Sequence, residues 1–419
     1  MALKYDIAVI GGGASGIIAA IAAAQELKNN KVNSKIVILE KNNRIGKKIL
    51  ATGNGRCNLS NMNVDVNHYH GDTKFLYSFL SEYSPKSIID FFWKMGLPCI
   101  EQDEGRVYPN NFQAASVLDV LRYQLENYNI ETILDFKAEK IEKTNSGYII
   151  HSNEDSVIAK NVICSFGGMA YPQLGSDGSG FEMLKKLGHS VTPMFPALVQ
   201  VTTDPKRAKP LKGARNAAEA VLLLNGKPVK KVKGEVQFTD KGLSGICIFE
   251  LSRFINELQN KNNIEISLDL LPDYSLKQVF SMLRHTKKVL DNLSTNEILN
   301  GYINKLAAKE VVHNALKNCP KFVNQLSGKQ LETIGETVKD FRFNVTGTLG
   351  FRDAQITAGG VSLKEVDDNM QSKFCSGLYL TGELLNIDGD CGGYNLHWAW
   401  STGIKAGFSA AHSLINKKR

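Results

Sequence analysis

The chain has 419 residues, enough for two or three domains, and 43% of them are apolar, which allows a large core and excludes a disordered chain. The longest apolar run, residues 17–24, is far shorter than a bilayer span and lies in a helical pattern. Seven cysteines (57, 99, 164, 247, 319, 375 and 391), odd in number and without C-x-x-C spacing, exclude a disulfide framework or a structural zinc site and fit a reducing cytoplasm.

The N-terminus, MALKYDIAVIGGG, runs directly into a strand, so no cleaved leader is expected. Residues 5–10 form that strand, Gly11-x-Gly13-x-x-Gly16 comes directly after it, and residues 14–27 carry an Ala-rich helical pattern. A second strand, KIVILE, ends at Glu40. Gly11 permits a tight turn, Gly13 lets the backbone approach a pyrophosphate, and Gly16 lets helix and strand pack closely. The helix N-terminus offers N–H groups and a positive dipole end to phosphates. Glu40 is placed to accept hydrogen bonds from ribose hydroxyls. The pattern fits a dinucleotide without a 2′-phosphate, either NAD or FAD.

The segment after Glu40 favours FAD. A basic turn (Arg44, Lys47, Lys48) is suited to neutralising a pyrophosphate. It leads into ATGNGRCNLSN (residues 51–61), a loop too Gly-rich for a strand and without a helical stripe, which can lay backbone N–H groups on a flat ring. Cys57 has no nearby partner thiol and reads as a packing residue. His68 and His70, the one close histidine pair, have no third ligand in view and read as surface; no metal is expected. Residues 161–189 read as a strand, a Gly167–Gly168 turn, an irregular loop and a helix. Residues 377–415 read as a strand, a Gly-acid turn, a Gly392–Gly393 loop and a long helix. The start of that helix suits the flavin edge that gains negative charge on reduction, and Asp388 suits the ribityl chain.

Residues from about 192 to 345 separate these flavin-type segments. Residues 192–251 have short apolar runs split by turns, expected as a small antiparallel sheet or barrel. Residues 252–345 show mostly helical spacing. The stretch 191–344 holds 23 Lys and Arg against 15 Asp and Glu, so the whole excess charge of +8 lies there. Lys206, Arg207, Lys209, Lys212, Arg215, Lys227, Lys230, Lys231 and Lys233 face only Glu219 in their own span. They could grip the phosphates of an RNA, or form a solvated, aggregation-resistant sheet edge.

The chain resembles the bacterial NAD(P)/FAD-dependent oxidoreductase family, whose members carry names such as aminoacetone oxidase, BaiN-type bile-acid reductase and ribosomal-RNA dihydrouridine synthase. The matching motifs are the glycine fingerprint, Glu40, TGNGRCN (52–58), GGMAYPQLGSDGSG (167–180), DAQITAGGV (353–361), GLYLTGELLNIDGDCGGYN (377–395) and LHWAW (396–400). The resemblance implies an α/β fold with a Rossmann-like FAD-binding domain (1–191 and 346–419), interrupted by an inserted small β-sheet or barrel plus helical substrate domain. It implies a tightly bound FAD held by Gly11, Gly13, Ala14, Ser15, Gly16, Glu40, Lys41, Arg44, Gly46, Lys47, Lys48, Thr52, Gly53, Gly55, Arg56, Cys57, Asn58, Gly167, Gly168, Gly382, Glu383, Asp388, Gly389, Gly392, Gly393, Tyr394, Asn395 and Leu396. In VQFTDKGLSGICIFELS (236–252) it departs from the family's His near position 240 and Pro near 246. No second glycine fingerprint is present, so NAD(P)H is expected as a transient reductant. The expected activity is reduction of an activated C=C bond by hydride transfer from flavin N5, with uridine in ribosomal RNA as substrate. A small-molecule amine oxidase or enone reductase is the alternative. Tyr171, Cys57 and His397 are the proton-donor candidates by type and position.

Overall fold

The computed structural model describes residues 3–258 and 263–416. These form two compact units. The first takes the chain up to Phe195 and again from Ile356; the second is Pro196–Gln355.

In the first unit, strand β1 (Leu3–Ile10) leads through Gly11–Gly13 into helix α1 (Ala14–Asn29), and strand β2 (Ile36–Leu39) returns beside β1. The sheet runs Glu131–Ile133, β2, β1, Ser156–Cys164, Gly147–His151, Lys140–Thr144, with Leu378–Leu380 also on Ser156–Cys164. β1 pairs in parallel with β2 (Ile7 opposite Ile36) and with Ser156–Cys164 (Ile10 opposite Cys164). All four residues of β2 are buried, as parallel strands covered on both faces require.

Helix α1 is buried from Ser15 to Ala24, so it is packed on every side rather than along one stripe. The last helix, Tyr394–Asn416, lies against it. A Cβ at Gly403 would stand 2.4 Å from the Ser15 carbonyl oxygen, and one at Gly407 would stand 2.3 Å from that of Ala19. Backbone therefore touches backbone, and the two glycines allow it. Gly16 serves in the same way at the start of α1: its Cβ would meet the Gly11 carbonyl oxygen at 1.9 Å.

The second unit is a closed barrel of strands Val201–Thr203, Gly242–Ser244, Lys227–Phe238, Arg215–Leu224, Ile264–Asp269 and Phe341–Thr348, in that order. Helices Ile246–Glu257, Leu276–Val289, Lys305–Ala315 and Gly328–Lys339 accompany it. This departs from the expected division at residue 251. A helix begins before that point, and two barrel strands come from the half expected to be mostly helical. Both strands carry the alternation of a half-buried strand, IEISLD and FRFNVTGT, which is short and easily outweighed by the helices between them. The expected boundary at 345 falls inside the closing strand, Phe341–Thr348, which is why the unit extends to Gln355.

Gly407→Leu is expected to lower the unfolding free energy by about 3 kcal/mol, measured by urea denaturation. Gly328→Ala, at a helix start where a Cβ meets no atom within 4 Å, should change it by less than about 1 kcal/mol.

Candidate functional site

The glycine turn between β1 and α1 is built to face a ligand. Gly11 has φ +106° and passes so close to Ser165 that a Cβ would lie 2.5 Å from its carbonyl oxygen. Gly13 caps α1 without a side-chain hydrogen bond, and a Cβ there would meet no protein atom within 4 Å. Tight packing behind and open space in front suit a phosphate approaching the helix start.

Glu40 is buried at 7% exposure and is already engaged. One carboxylate oxygen accepts the Gly12 N–H at 2.8 Å; the other accepts the Asn42 N–H at 2.8 Å and the Asn42 side-chain amide at 2.6 Å. These bonds orient the carboxylate and use three of its roughly four acceptor sites. Asn42 is not among the residues expected from the sequence, although an Asn two residues after an acid is a known turn former.

The expected basic turn is only partly available to a pyrophosphate. Helix α2 (Lys47–Ala51) turns Lys48 towards the distant Glu383, 2.6 Å away. Lys48 is therefore engaged in an ion pair. Lys47 donates to Asn42 Oδ1 at 3.2 Å, Lys41 pairs with Asp177 at 2.8 Å, and Arg44 is exposed. Lys41 is thereby the main cation holding the Asp177 carboxyl down to about 2, against the opposing effect of its partial burial.

TGNGRCN makes a 3-10 turn over Thr52–Gly55, and Gly53, Asn54, Gly55 and Cys57 all have positive φ. Such a cluster of left-handed residues is costly and is kept where backbone position matters. Thr52 closes α2 by donating to the Ile49 carbonyl at 2.7 Å, and Arg56 lies over the Tyr108 ring at 5.6 Å. Gly393 packs on this loop; its Cβ would be 2.3 Å from the Ser60 carbonyl oxygen and 2.8 Å from Asn58 Oδ1. Asn58 Oδ1 is buried without a hydrogen-bond partner in the protein, as expected of an atom meant for a ligand.

The C-terminal motif is held from several sides. Asn395 exchanges hydrogen bonds with the backbone of Gly389 at 2.8 Å each, and Asn61 donates to the Gly392 carbonyl at 2.9 Å. Trp398 donates to the Gly382 carbonyl at 3.1 Å. Asp388 is buried at 2% exposure in a strand, Ile387–Gly389, paired with Tyr69–Gly71. His68 and His70 are not simply surface residues. They meet the Asp390 carboxylate at 3.2 and 2.8 Å, and His68 stacks on Tyr394 at 4.4 Å. Their hydrogen bonds and charge hold the Asp390 carboxyl below the usual range, although burial opposes it.

The chain matches the family model described as HI0933-like protein Rossmann domain over residues 5–409. It belongs to that family. It is 37% identical over 410 residues to 3-dehydro-bile acid delta(4,6)-reductase of Clostridium scindens, covering 97% of this chain and 98% of that one. It is 26% identical over 420 residues to the ribosomal RNA dihydrouridine synthase of Escherichia coli, covering 99% of both. Among solved structures, 3-ketosteroid-delta4-(5alpha)-dehydrogenase of Rhodococcus jostii superposes with a TM-score of 0.52 at 16% identity, covering 98% of this chain and 97% of that one. This last likeness is one of fold.

The HI0933-like chain is thus a flavin-dependent oxidoreductase with a Rossmann-like FAD-binding fold. The open face at Gly13, the prepared Glu40 and the unpaired Asn58 Oδ1 fit that group. The flavin, when bound, supplies two-electron redox chemistry. The residues around it would supply binding and orientation.

Of the three proton-donor candidates, two are buried. His397 is fully buried. Its Nε2 lies 2.8 Å from the Tyr83 carbonyl, which can only accept, so Nε2 carries the hydrogen and Nδ1 accepts from Ser60 Oγ at 2.8 Å. Burial pushes the imidazole down to about 4. Both ring nitrogens are thus engaged within the first unit. Cys57 is also fully buried, and burial pushes its thiol up to about 12. Its side chain packs in the hydrophobic core of the first unit. Tyr171 remains: it is half-buried in a left-handed conformation (φ 58°, ψ 58°) after the Gly167–Ala170 segment.

The basic residues of the second unit are less free than their sequence suggests. Lys212 lies 3.8 Å from Asp240, Arg215 3.8 Å from Glu235, Lys231 2.7 Å from Glu219 and Lys233 2.7 Å from Asp273. Arg207 donates to Asn314 at 2.7 Å and to the Arg342 carbonyl at 2.9 Å, and Lys230 sits over Phe254 at 5.2 Å. Three of the four acids lie outside the basic span, where only the barrel topology brings them near. Lys206, Lys209 and Lys227 are exposed.

Burial sets the sign of the His397 effect on stability. In the unfolded chain its pKa is near 6.5, and in the fold it is about 4. Its contribution is fully present above pH 6.5 and is lost as pH falls towards 4, by about 3 kcal/mol. Thermal unfolding of His397→Gln between pH 7 and 4 should show a shallower loss than the unchanged protein; parallel curves would contradict the assignment.

Proposed function

We propose that the protein catalyses NAD(P)H-driven reduction of a C=C bond conjugated to a carbonyl, and that its substrate is uridine in ribosomal RNA, giving dihydrouridine. Two electrons and a proton come from NAD(P)H and a second proton comes through the protein, so the double bond gains two hydrogens. The observation that carries the RNA reading is the charge distribution. The second unit, 196–355, holds 24 Lys and Arg against 16 Asp and Glu, while the remainder holds 26 of each. An excess of +8 confined to one unit matches a polyanion rather than a ligand with one carboxylate. Local pairing neutralises part of it; Lys206, Lys209 and Lys227 are the residues assigned to phosphates. The ribosomal RNA dihydrouridine synthase relative, matched along its whole length, supports the same reading.

A second reading, reduction of a steroid-type enone, is favoured by the 37% identity to the bile-acid reductase. The bond chemistry is shared: uracil and an enone both present a double bond conjugated to a carbonyl. Amine oxidation is the remaining alternative. For either reduction Tyr171 is assigned as the proton donor, because it is the candidate left half-buried beside a flavin motif.

The test is anaerobic incubation of the FAD-loaded protein with NAD(P)H and unmodified large-subunit ribosomal RNA, then digestion and mass spectrometry. Uridine heavier by about two mass units, only with enzyme, is expected. Absence of that product, with a steroid enone reduced instead, would overturn the RNA reading. Tyr171→Phe should lower turnover by about 10² or more without loss of FAD. The triple change of Lys206, Lys209 and Lys227 to Gln should make the slope of log affinity for RNA against log salt shallower by about 2 to 3.

A further inference from the structure

One chain of polar contacts joins four segments that are far apart in sequence. Lys48 Nζ, from α2, lies 2.6 Å from Glu383 Oε2. Glu383 Oε1 accepts the Thr357 N–H at 2.8 Å. Thr357 Oγ1 in turn accepts the Met169 N–H at 2.7 Å and the Ala170 N–H at 3.0 Å. Thr357 is 1% exposed, so these donors have no water to replace it. The fit also fixes Gly168. A Cβ there would stand 2.4 Å from Thr357 Oγ1 and 3.0 Å from Glu383 Oε1. The next residue after Ala170 is Tyr171, held at positive φ.

We infer that Thr357, itself held by the Lys48–Glu383 pair, is the positioning residue for the Gly168–Tyr171 backbone at the flavin. One hydroxyl oxygen takes two successive N–H groups, which sets the plane of both peptides and the direction in which Tyr171 leaves the loop. Neither the carboxylate nor the ammonium need touch the cofactor: the pair acts through Thr357. This rests on the reading of the protein as a flavin enzyme with Tyr171 as its proton donor, but not on the identity of the substrate.

The experiment compares the FAD-loaded protein with Thr357→Val and Thr357→Ser. Valine keeps the shape and removes the acceptor; serine keeps the acceptor. FAD dissociation is tracked by flavin fluorescence, and the flavin environment by visible circular dichroism. Thr357→Val is expected to weaken FAD binding by about tenfold, the scale of one lost polar contact, and to change the flavin dichroism, with unaltered far-ultraviolet dichroism. Thr357→Ser should restore both. Unchanged FAD affinity and flavin dichroism in Thr357→Val would overturn the inference, and so would failure of serine to rescue. If Thr357→Val does not fold, Thr357→Ala decides: weaker FAD binding with altered flavin dichroism is expected, and no change overturns it. None of these readouts needs a substrate, so they remain interpretable if neither RNA nor an enone is reduced.

Discussion

The site depends on main chain lying against main chain around helix α1. At its start, Gly16 closes on the Gly11 carbonyl, and Gly11 itself closes on Ser165. Along its length, Gly403 and Gly407 bring the last helix onto the Ser15 and Ala19 carbonyls. A side chain at any of these points would push the glycine turn out of line with the strands that lead into Ser165 and Thr381. Those two hydroxyls meet at 2.7 Å, tying the ends of Ser156–Cys164 and Leu378–Leu380 behind the turn. The open side of the turn is left to the ligand, so close packing on one face is what makes room on the other.

Around that frame, polar groups from remote segments fix the loops. Glu40 orients the glycine turn through Gly12. Asn395 and Asn61 hold the last glycine loop, and the Lys48–Glu383 pair anchors the hydroxyl beneath Met169 and Ala170. Most of these groups bind backbone rather than one another. This suits a flavin site, because a flat ring needs loops held in fixed positions more than it needs many charged side chains. The histidines at 68 and 70 obey the same logic, clasping Asp390 beside the loop.

The parts legible in the sequence were those with a local period or a local conformational demand. The Gly11–Gly16 turn, the apolar strand before it, the Ala-rich helix and Glu40 all declare themselves within 36 residues. The basic character of the second unit is likewise a matter of counting. Partners across long separations left no such trace. Lys48 reads as a phosphate cation until the fold brings Glu383 to it from 335 positions away. His397 reads as a proton-donor candidate by type and position until Ser60 and Tyr83 enclose it. The lysines on the hairpin of Arg215–Leu224 and Lys227–Phe238 read as unopposed because acids such as Asp273 come from later segments of the chain. The strand Ile264–Asp269 did carry its alternation, but six residues between helices were too few to be heard over them.

We propose that glycine-rich segments scattered from residue 11 to residue 393 form a single cradle for one dinucleotide. Hydrogen exchange by mass spectrometry, on the chain stripped of flavin and then resaturated with FAD, tests it most directly. Protection on FAD binding is expected in 11–16, 40–58, 167–171 and 382–393 together. Protection confined to 11–16 and 40–42, with the other segments unchanged, would mean a site for a mononucleotide alone and would contradict it.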